Sequence, residues 1–266
     1  MNKERLEDHL SYLQLNTIRQ SYPVHAAKAQ SQNRSYLDFL QGLIEEEVFA
    51  KKERAAKKRV QMAKFPVIKT IDQFDFQHPK RIPKQRILSL FDLHFIEQKS
   101  NVLFIGQPGL GKTHLGIALG FHACQKGYST LFTTAAALIN HLNASLSDHS
   151  FLSASRRYLR PRCLIIDELG FLPIDKRGSD LLFQILSARY ETGTVVITTN
   201  RPPNEWDQIF NNDATIAAAL ADRILSRTAG MRSSLSKEGV SGCQIIHHNG
   251  CFGESHSANR LAVMTA

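Results

Sequence analysis

The chain has few cysteines, no long apolar run and no apolar segment at its start. Its four cysteines, Cys124, Cys163, Cys243 and Cys251, are not spaced like a disulfide framework and are typical of a reducing compartment. No stretch has the length and apolar content of a membrane span, and residues 1–8 are charged where a signal peptide would be apolar. We therefore expect a cytoplasmic protein that contacts no membrane.

Acidic residues are also outnumbered by basic ones. The 266 residues include 33 lysines and arginines against 24 aspartates and glutamates, which gives a formal net charge of +9. This surplus favours a polyanionic partner such as nucleic acid, although solubility alone would also explain it. The length suits one full α/β domain with a smaller appendage, and an apolar content of 42% is ample for a buried core.

The segment 106–113 fits the pattern G-x-x-x-x-G-K-[ST] at every fixed position. It follows the apolar run 102–105 and opens a helix-like stretch at 114–126, the strand–loop–helix order in which this pattern binds phosphate. Backbone N–H groups of such a loop converge at a helix N-terminus, where the helix dipole favours negative charge. The predicted nucleotide-binding residues are Gly106, Gln107, Pro108, Gly109, Leu110, Gly111, Lys112 and Thr113. The alternative is a glycine turn that binds nothing.

Two acidic residues, Asp167 and Glu168, directly follow the apolar run 163–166, which is typical of a strand covered on both faces. The carboxyl ends of parallel strands form the ligand side of an open α/β sheet, so both acids are expected near the phosphate loop. In a P-loop ATPase, Lys112 would contact the β- and γ-phosphates, while Thr113 and Asp167 would hold Mg²⁺. Glu168 would act as the general base. The alternative for Asp167 is a simple helix cap.

Two further residues complete the predicted catalytic set. Asn200 follows the apolar run 194–198 and could hold the hydrolytic water or sense the γ-phosphate, although asparagine ends many strands. Arg223 lies in an alanine-rich helix and is either an arginine finger for a neighbouring subunit or a surface arginine. The chain contains no Asn-Lys-x-Asp, which would have suggested guanine, so ATP is the expected nucleotide.

Two basic clusters are candidate contacts for DNA. Lysines and arginines in such clusters bind the phosphate backbone, and the alternative for both clusters is a solvated helical face. The candidates are Lys51, Lys52, Lys57, Lys58 and Arg59 in the first cluster, and Arg156 and Arg157 in the second.

Residues 1–64 are predicted to form a small helical domain. A stripe of apolar residues that begins at Leu6 predicts a helix ending near Pro23. Ser35 and Asp38 resemble a capping box at the start of a second helix, which Pro66 breaks. We expect this domain to contact DNA or a partner.

Residues 65–232 are predicted to form a doubly wound α/β ATPase domain, because strands at 102–105, 129–133, 163–166 and 194–198 alternate with helices. The helices are expected at 84–95, 114–126, 135–144, 151–159 and 181–189. Residues 233–266 form an atypical tail with a candidate short strand at 244–246, and the rest of the tail is expected to be poorly ordered. The tail carries histidines and cysteines that match no closed zinc pattern, namely Cys243, His247, His248, Cys251 and His256.

Together these landmarks resemble the IstB-like ATP-binding proteins, transposition helpers of a bacterial insertion-sequence family that is close to the DnaC-type helicase loaders. The resemblance runs from about residue 5 to 225. Its most specific part is the run Asp-Glu-Leu-Gly-Phe-Leu-Pro at 167–173. Besides the phosphate loop and this run, it rests on Phe65–Thr70, Asp75–Phe76, Leu182–Gln184, Thr198–Asn200, Glu205–Trp206 and Ala221–Arg223.

The resemblance implies an AAA+ P-loop NTPase in which helices sandwich a parallel sheet, with ATP and Mg²⁺ as cofactors. It implies self-association into a ring or spiral on double-stranded DNA and assistance to a partner transposase. It makes Asn200 a sensor and Arg223 a finger that acts in trans, and it places Arg156 and Arg157 on an extra helix facing nucleic acid.

Other functions stay open beside this one. One is a helicase loader that grips single strands, and another is a nucleotide-binding, DNA-associated protein without turnover. A small-molecule P-loop kinase is a further class, against which the run at 167–173 argues. The chain departs from the family after Leu225, where family members continue to a final strand that pairs with the strand of the phosphate loop. Loss of that strand is expected to leave an open sheet edge.

Overall fold

The computed structural model of the chain describes residues 3–77 and 84–225, together with the backbone of residues 244–247. Contacts between residues divide the chain into two compact units, and the division falls between Lys58 and Arg59. This point lies inside a long helix, α3 (Tyr36–Ala63), so the helix belongs to both units. A boundary at residue 65 stays a prediction. Within the described residues, no helix combines the length and apolar content needed to cross a bilayer.

The first unit consists of α1 (Lys3–Tyr12), α2 (Asn16–Ser31) and most of α3. The expected helix end near Pro23 is wrong, because Pro23 lies inside α2. Proline removes one hydrogen bond from a helix, but its fixed φ is compatible with helical geometry. The break falls earlier, around Gln14, which has a φ of 55°. The predicted start of α3 is confirmed, since the Ser35 hydroxyl accepts the Asp38 N–H at 3.1 Å.

A buried carboxylate ties α2 to α3 within this unit. The side chain of Glu47, only 2% exposed, accepts the backbone N–H groups of Thr17 at 2.8 Å and Ile18 at 3.0 Å. Arg54 donates to its other oxygen at 3.1 Å. Burial alone would raise the pKa of Glu47, but the amide donors and the nearby cations hold this pKa below its ordinary value. The carboxylate therefore satisfies amide groups at the start of α2 that have no partner within the helix.

The second unit contains a five-stranded sheet in the order β2-β3-β4-β1-β5. Four strands are parallel: β1 (Val102–Ile105), β2 (Thr130–Thr134), β3 (Cys163–Leu169) and β4 (Thr194–Thr199). The fifth, β5 (Gln244–His247), pairs antiparallel with β1. The expected open edge beside the phosphate-loop strand is therefore wrong. The candidate strand at 244–246 is confirmed, and as β5 it supplies the missing neighbour of β1.

Helices cover both faces of this sheet. They are α4 (Lys84–Leu90), α5 (His94–Glu97), α6 (Lys112–Gln125), α7 (Ala135–Ser147), α8 (Phe151–Leu159), α9 (Lys176–Arg189) and α10 (Ala214–Leu225). Short 3₁₀ turns occupy Ile71–Gln73 and Pro203–Gln208. The single helix expected at 84–95 is two helices, because Leu93 adopts a left-handed φ of 60° between them.

Side chains of alternate strand residues build a separate apolar core on each face of the sheet. Leu103 and Ile105 of β1 belong to the cluster that includes α7, α9 and α10. Val102 and Phe104 belong to the cluster that includes α4, α5 and α6. This alternation, with parallel strands buried on both faces, confirms the predicted α/β sandwich.

Candidate nucleotide site

The loop between β1 and α6 has the backbone shape that phosphate binding requires. Gly109 and Gly111 have positive φ values of 84° and 77°, and Gly111 is the N-cap of α6. A Cβ on Gly111 would lie 2.5 Å from the Phe74 ring, so a larger residue would clash as well as strain the backbone. The loop therefore leads into the N-terminus of α6, where backbone N–H groups and the helix dipole favour a bound phosphate.

Lys112 is the first residue of α6, and its side chain reaches back over the loop. Its ammonium group donates to the carbonyl oxygen of Gln107 at 2.8 Å. The positive charge of Lys112 thus lies at the phosphate loop, where the sequence analysis expected it to contact phosphates. A bound phosphate would compete with this neutral carbonyl for the ammonium group and would gain a charge-assisted hydrogen bond.

Thr113 and Asp167 meet across the gap between α6 and β3. The Thr113 hydroxyl lies 2.9 Å and 3.0 Å from the two carboxylate oxygens of Asp167, which is 3% exposed. A hydroxyl and a carboxylate are hard oxygen donors of the type that Mg²⁺ binds together with phosphate oxygens and water. The residues present therefore fit the predicted magnesium ion, which Thr113 and Asp167 would hold.

A β-bulge carries the two acidic residues. Ile166 of β3 pairs with Ile197 of β4, but the next pair is Leu169 with Thr199. Asp167 and Glu168 together therefore stand opposite the single residue Thr198. The sequence predicted a strand that ends at Ile166, before Asp167. In the structure, β3 continues through both acidic residues to Leu169. A bulge of this kind redirects a side chain at a sheet edge.

Thr198 satisfies both residues of the bulge. Its hydroxyl donates to Oδ1 of Asp167 and accepts the backbone N–H of Glu168 at 3.0 Å. Glu168 has a left-handed φ of 59°, and its side chain is exposed whereas Asp167 is buried. Sequence reasoning did not single out Thr198, although it noted the Thr-Thr-Asn run because of Asn200.

An open cleft of about 350 Å³ brings most of the predicted residues together. Asn200 follows β4, and in the folded chain it faces the same cleft as the phosphate loop and Glu168. The exposed ring of Phe171 forms part of the wall and was not predicted. The lining residues are Pro108, Gly109, Gly111, Lys112, Thr113, Glu168, Phe171, Thr198, Thr199 and Asn200.

Arg223 is not at this cleft. It lines a separate small cavity with Asn101 and Val195, at the amino ends of β1 and β4, whereas the phosphate loop follows the carboxyl end of β1. Its guanidinium lies 4.5 Å from the centre of the Phe183 ring and 3.5 Å from the carbonyl oxygen of Ala219. Arg223 therefore does not serve the nucleotide site of its own chain.

The candidate DNA contacts differ in their surroundings. Lys51, Lys52, Lys57 and Lys58 are exposed on the part of α3 that belongs to the first unit. Arg59 is only half-exposed, and its Nε donates to the carbonyl oxygen of Cys124 at 2.8 Å.

The second candidate cluster lies on α8. Arg156 and Arg157 are exposed, whereas Ala154, Ser155 and Tyr158 face the core. The helix thus presents a basic side to solvent.

A metal cluster of side chains is not found in the part of the chain that the structure describes. No group of three or more histidine, cysteine, aspartate or glutamate side chains comes together there. Of the residues considered for zinc, Cys243, His248, Cys251 and His256 lie outside the described residues, and only the backbone of His247 is described. Residues 226–232 of the predicted ATPase domain and residues 233–243 and 248–266 of the predicted tail also lie outside.

The strand order, the phosphate loop after β1 and the acidic pair in β3 define an AAA+ P-loop NTPase fold. A family model described as "IstB-like ATP binding protein" matches residues 8–233. The chain belongs to this family, as the resemblance had implied.

Relatives and solved structures agree with this assignment. The chain is 37% identical to "Insertion sequence IS5376 putative ATP-binding protein" of Geobacillus stearothermophilus, over 84% of this chain and 88% of the relative. It is 33% identical to "Insertion sequence IS21 putative ATP-binding protein" of Pseudomonas aeruginosa, over 83% of each chain. Among solved structures, the "Crystal Structure of the DnaI" has a TM-score of 0.51 at 18% identity, over 62% of this chain and 88% of that one. This last similarity concerns the fold alone.

Proposed function

We propose that the chain is a cytoplasmic, Mg²⁺-dependent ATPase that assembles on double-stranded DNA and assists a partner transposase. The observation that carries the proposal is the cleft in which the phosphate loop, the buried Asp167 and the exposed Glu168 converge. The names of its relatives, insertion-sequence ATP-binding proteins, support both the nucleotide and the link to transposition.

The roles of the residues follow from their positions. The loop amides and Lys112 would bind the β- and γ-phosphates. Thr113 and Asp167 would hold Mg²⁺, which when bound neutralises charge on the phosphates. Glu168, exposed to the cleft, would accept a proton from the attacking water, and Asn200 would orient that water.

Self-association is part of the proposal because, among the described residues, no arginine lines the nucleotide cleft. Arg223 lies near the amino ends of β1 and β4, whereas the phosphate loop follows the carboxyl end of β1. In the proposed assembly, Arg223 of a neighbouring subunit would stabilise the transferred phosphoryl group, as arginine fingers supplied in trans do. In a ring or spiral, neighbouring subunits would pack so that Arg223 of one chain lies at the nucleotide cleft of the next.

The first experiment measures ATP hydrolysis with and without duplex DNA. Wild-type turnover is expected to rise with DNA and to disappear in Lys112→Ala, because the phosphates lose their ammonium partner. The matched control is Lys126→Ala, which removes an exposed lysine at the other end of the same helix. Absence of turnover in wild type with DNA present would contradict the ATPase proposal. Binding of ATP without hydrolysis would favour the nucleotide-regulated alternative.

Glu168→Gln separates binding from hydrolysis. The amide keeps the shape of the side chain but cannot accept the proton, so ATP is expected to bind and turnover to be lost. A nucleotide-binding titration beside the hydrolysis assay measures both. Turnover comparable to wild type would show that Glu168 is not the base.

DNA binding is tested on α8. Reversing the charge of Arg156 and Arg157 with glutamate should weaken duplex binding and reduce its dependence on salt concentration, because fewer counterions are released. Arg177→Glu, at an exposed position on α9, is the control. Equal binding by both variants would rule out α8 as a contact. A preference for single-stranded over duplex DNA would favour the helicase-loader alternative.

A further inference from the structure

Thr198 stands opposite the bulge that contains both acidic residues of the nucleotide cleft. It is 1% exposed, and its hydroxyl lies between the Asp167 carboxylate and the Glu168 backbone. A hydroxyl has one hydrogen to donate. Because that hydrogen is directed to Asp167, a lone pair of the same oxygen is left to accept the N–H of Glu168.

We propose that Thr198 is a positioning residue that holds the metal-side carboxylate and the general base in one fixed arrangement. The inference rests on the proposed ATPase function. Thr198 contacts Asp167 through its side chain and Glu168 only through the backbone, so it acts on hydrolysis through these two residues.

The left-handed backbone of Glu168 explains why such a restraint matters. An L-residue with a φ of 59° is held in a sparsely populated conformation, which persists only where neighbouring groups determine it. At the bulge, the N–H of Glu168 is displaced from the regular ladder between β3 and β4, and it bonds to the Thr198 side chain instead. Without the hydroxyl, the backbone of Glu168 can adopt other conformations. The Glu168 carboxylate then no longer has one fixed position in the cleft.

The expected consequence is a defect in turnover with little loss of nucleotide binding. The phosphates would be bound by the loop amides and Lys112, whereas the Thr198 hydroxyl bonds to the Asp167 carboxylate and the Glu168 N–H. Misplacing a catalytic group by about 1 Å costs on the order of 10²-fold in rate. We therefore expect kcat of Thr198→Val to fall by about 10- to 100-fold.

The experiment compares Thr198→Val with Thr198→Ser and with Thr194→Val. Valine keeps the shape of threonine without the hydroxyl, whereas serine keeps the hydroxyl. Thr194 is a matched control, since it is buried at the other end of β4 and its hydroxyl donates to the carbonyl oxygen of Phe95. The measurements are kcat, the affinity for a fluorescent ATP analogue with Mg²⁺, and the melting temperature. Serine and the control should behave like wild type, while Thr198→Val should lose kcat and keep its affinity.

Amide hydrogen exchange supplies a readout that does not depend on turnover. The Glu168 N–H should exchange faster in Thr198→Val and at the wild-type rate in Thr198→Ser, because only valine removes its acceptor. Unchanged exchange in Thr198→Val would overturn the proposal, as would wild-type turnover. An affinity loss as large as the kcat loss, or failure of serine to restore turnover, would also overturn it. If the wild type itself does not hydrolyse ATP, the ATPase proposal fails and the exchange rates alone decide the role of Thr198.

Discussion

Replacing Arg189 by lysine is expected to destabilise the second unit strongly, although the charge is kept. Arg189 is 1% exposed, and all of its described hydrogen bonds go to backbone carbonyl oxygens. Nη1 donates to Tyr158 at 2.8 Å and Leu159 at 3.2 Å, while Nη2 donates to Arg162 at 3.4 Å and Thr194 at 2.7 Å. The guanidinium thus joins the end of α8 to the starts of β3 and β4.

The magnitude follows from the number of carbonyls that lysine cannot reach. An ammonium group is a single point donor, whereas the guanidinium donates in two directions at once. Leaving one or two buried carbonyls unpaired costs about 2–4 kcal/mol, at about 2 kcal/mol each. Burial already lowers the pKa of Arg189 to about 10. The same burial acting on lysine, whose ordinary pKa is lower, disfavours its charged form further.

The assay is thermal unfolding followed by circular dichroism. A loss of this size should lower the melting temperature by about 4–16 °C, given about 2–4 °C per kcal/mol for a unit of this size. Arg177→Lys is the matched control, because it makes the same change at an exposed position of the same helix. If the melting temperature of Arg189→Lys equals that of Arg177→Lys within error, the contacts to carbonyl oxygens do not stabilise the fold and the reasoning is refuted.

Two further predictions concern buried ionisable groups. The pKa of Glu47 is depressed in the folded state, so its stabilising effect is present above the unfolded pKa and is lost as the pH falls below about 4.5. Glu47→Gln is expected to be less stable than wild type at neutral pH. As the pH is lowered, the free energy of unfolding should fall more steeply in wild type than in Glu47→Gln. Parallel curves for the two proteins would contradict this. Burial raises the pKa of Cys163 to about 12 and also raises that of Cys124. In a variant with serine at Cys243 and Cys251, a thiol reagent at pH 8 should react only upon unfolding; rapid reaction of the native protein would show that these thiols are accessible.

Much of the second unit could be predicted because its signals are local. The phosphate loop has fixed spacing, and apolar runs such as 163–166 and 194–198 mark strands covered on both faces. The cap at Ser35 likewise depends on a residue three positions away, and the structure shows that hydrogen bond. These features need no knowledge of distant parts of the chain.

Features that depend on distant contacts were missed. The bulge at Asp167 and Glu168 exists because Thr198, about thirty positions later, can satisfy both residues. Nothing in the run 163–168 itself signals it. Arg189 was likewise not predicted, because a buried arginine bonded to carbonyl oxygens looks in the sequence like an ordinary helix-ending arginine. Pro23 shows the converse, because a strong local signal for a helix end lies inside the continuous helix α2.

The antiparallel strand β5 changes what the sheet can do with other molecules. Because β5 covers β1, the strand that leads into the phosphate loop has hydrogen-bonded neighbours on both sides. A shortened chain that ends before Gln244 would expose the backbone of β1 as a template for strand addition by a second chain. The last described strand thus occupies the edge of the phosphate-loop strand, which is a role separate from nucleotide chemistry.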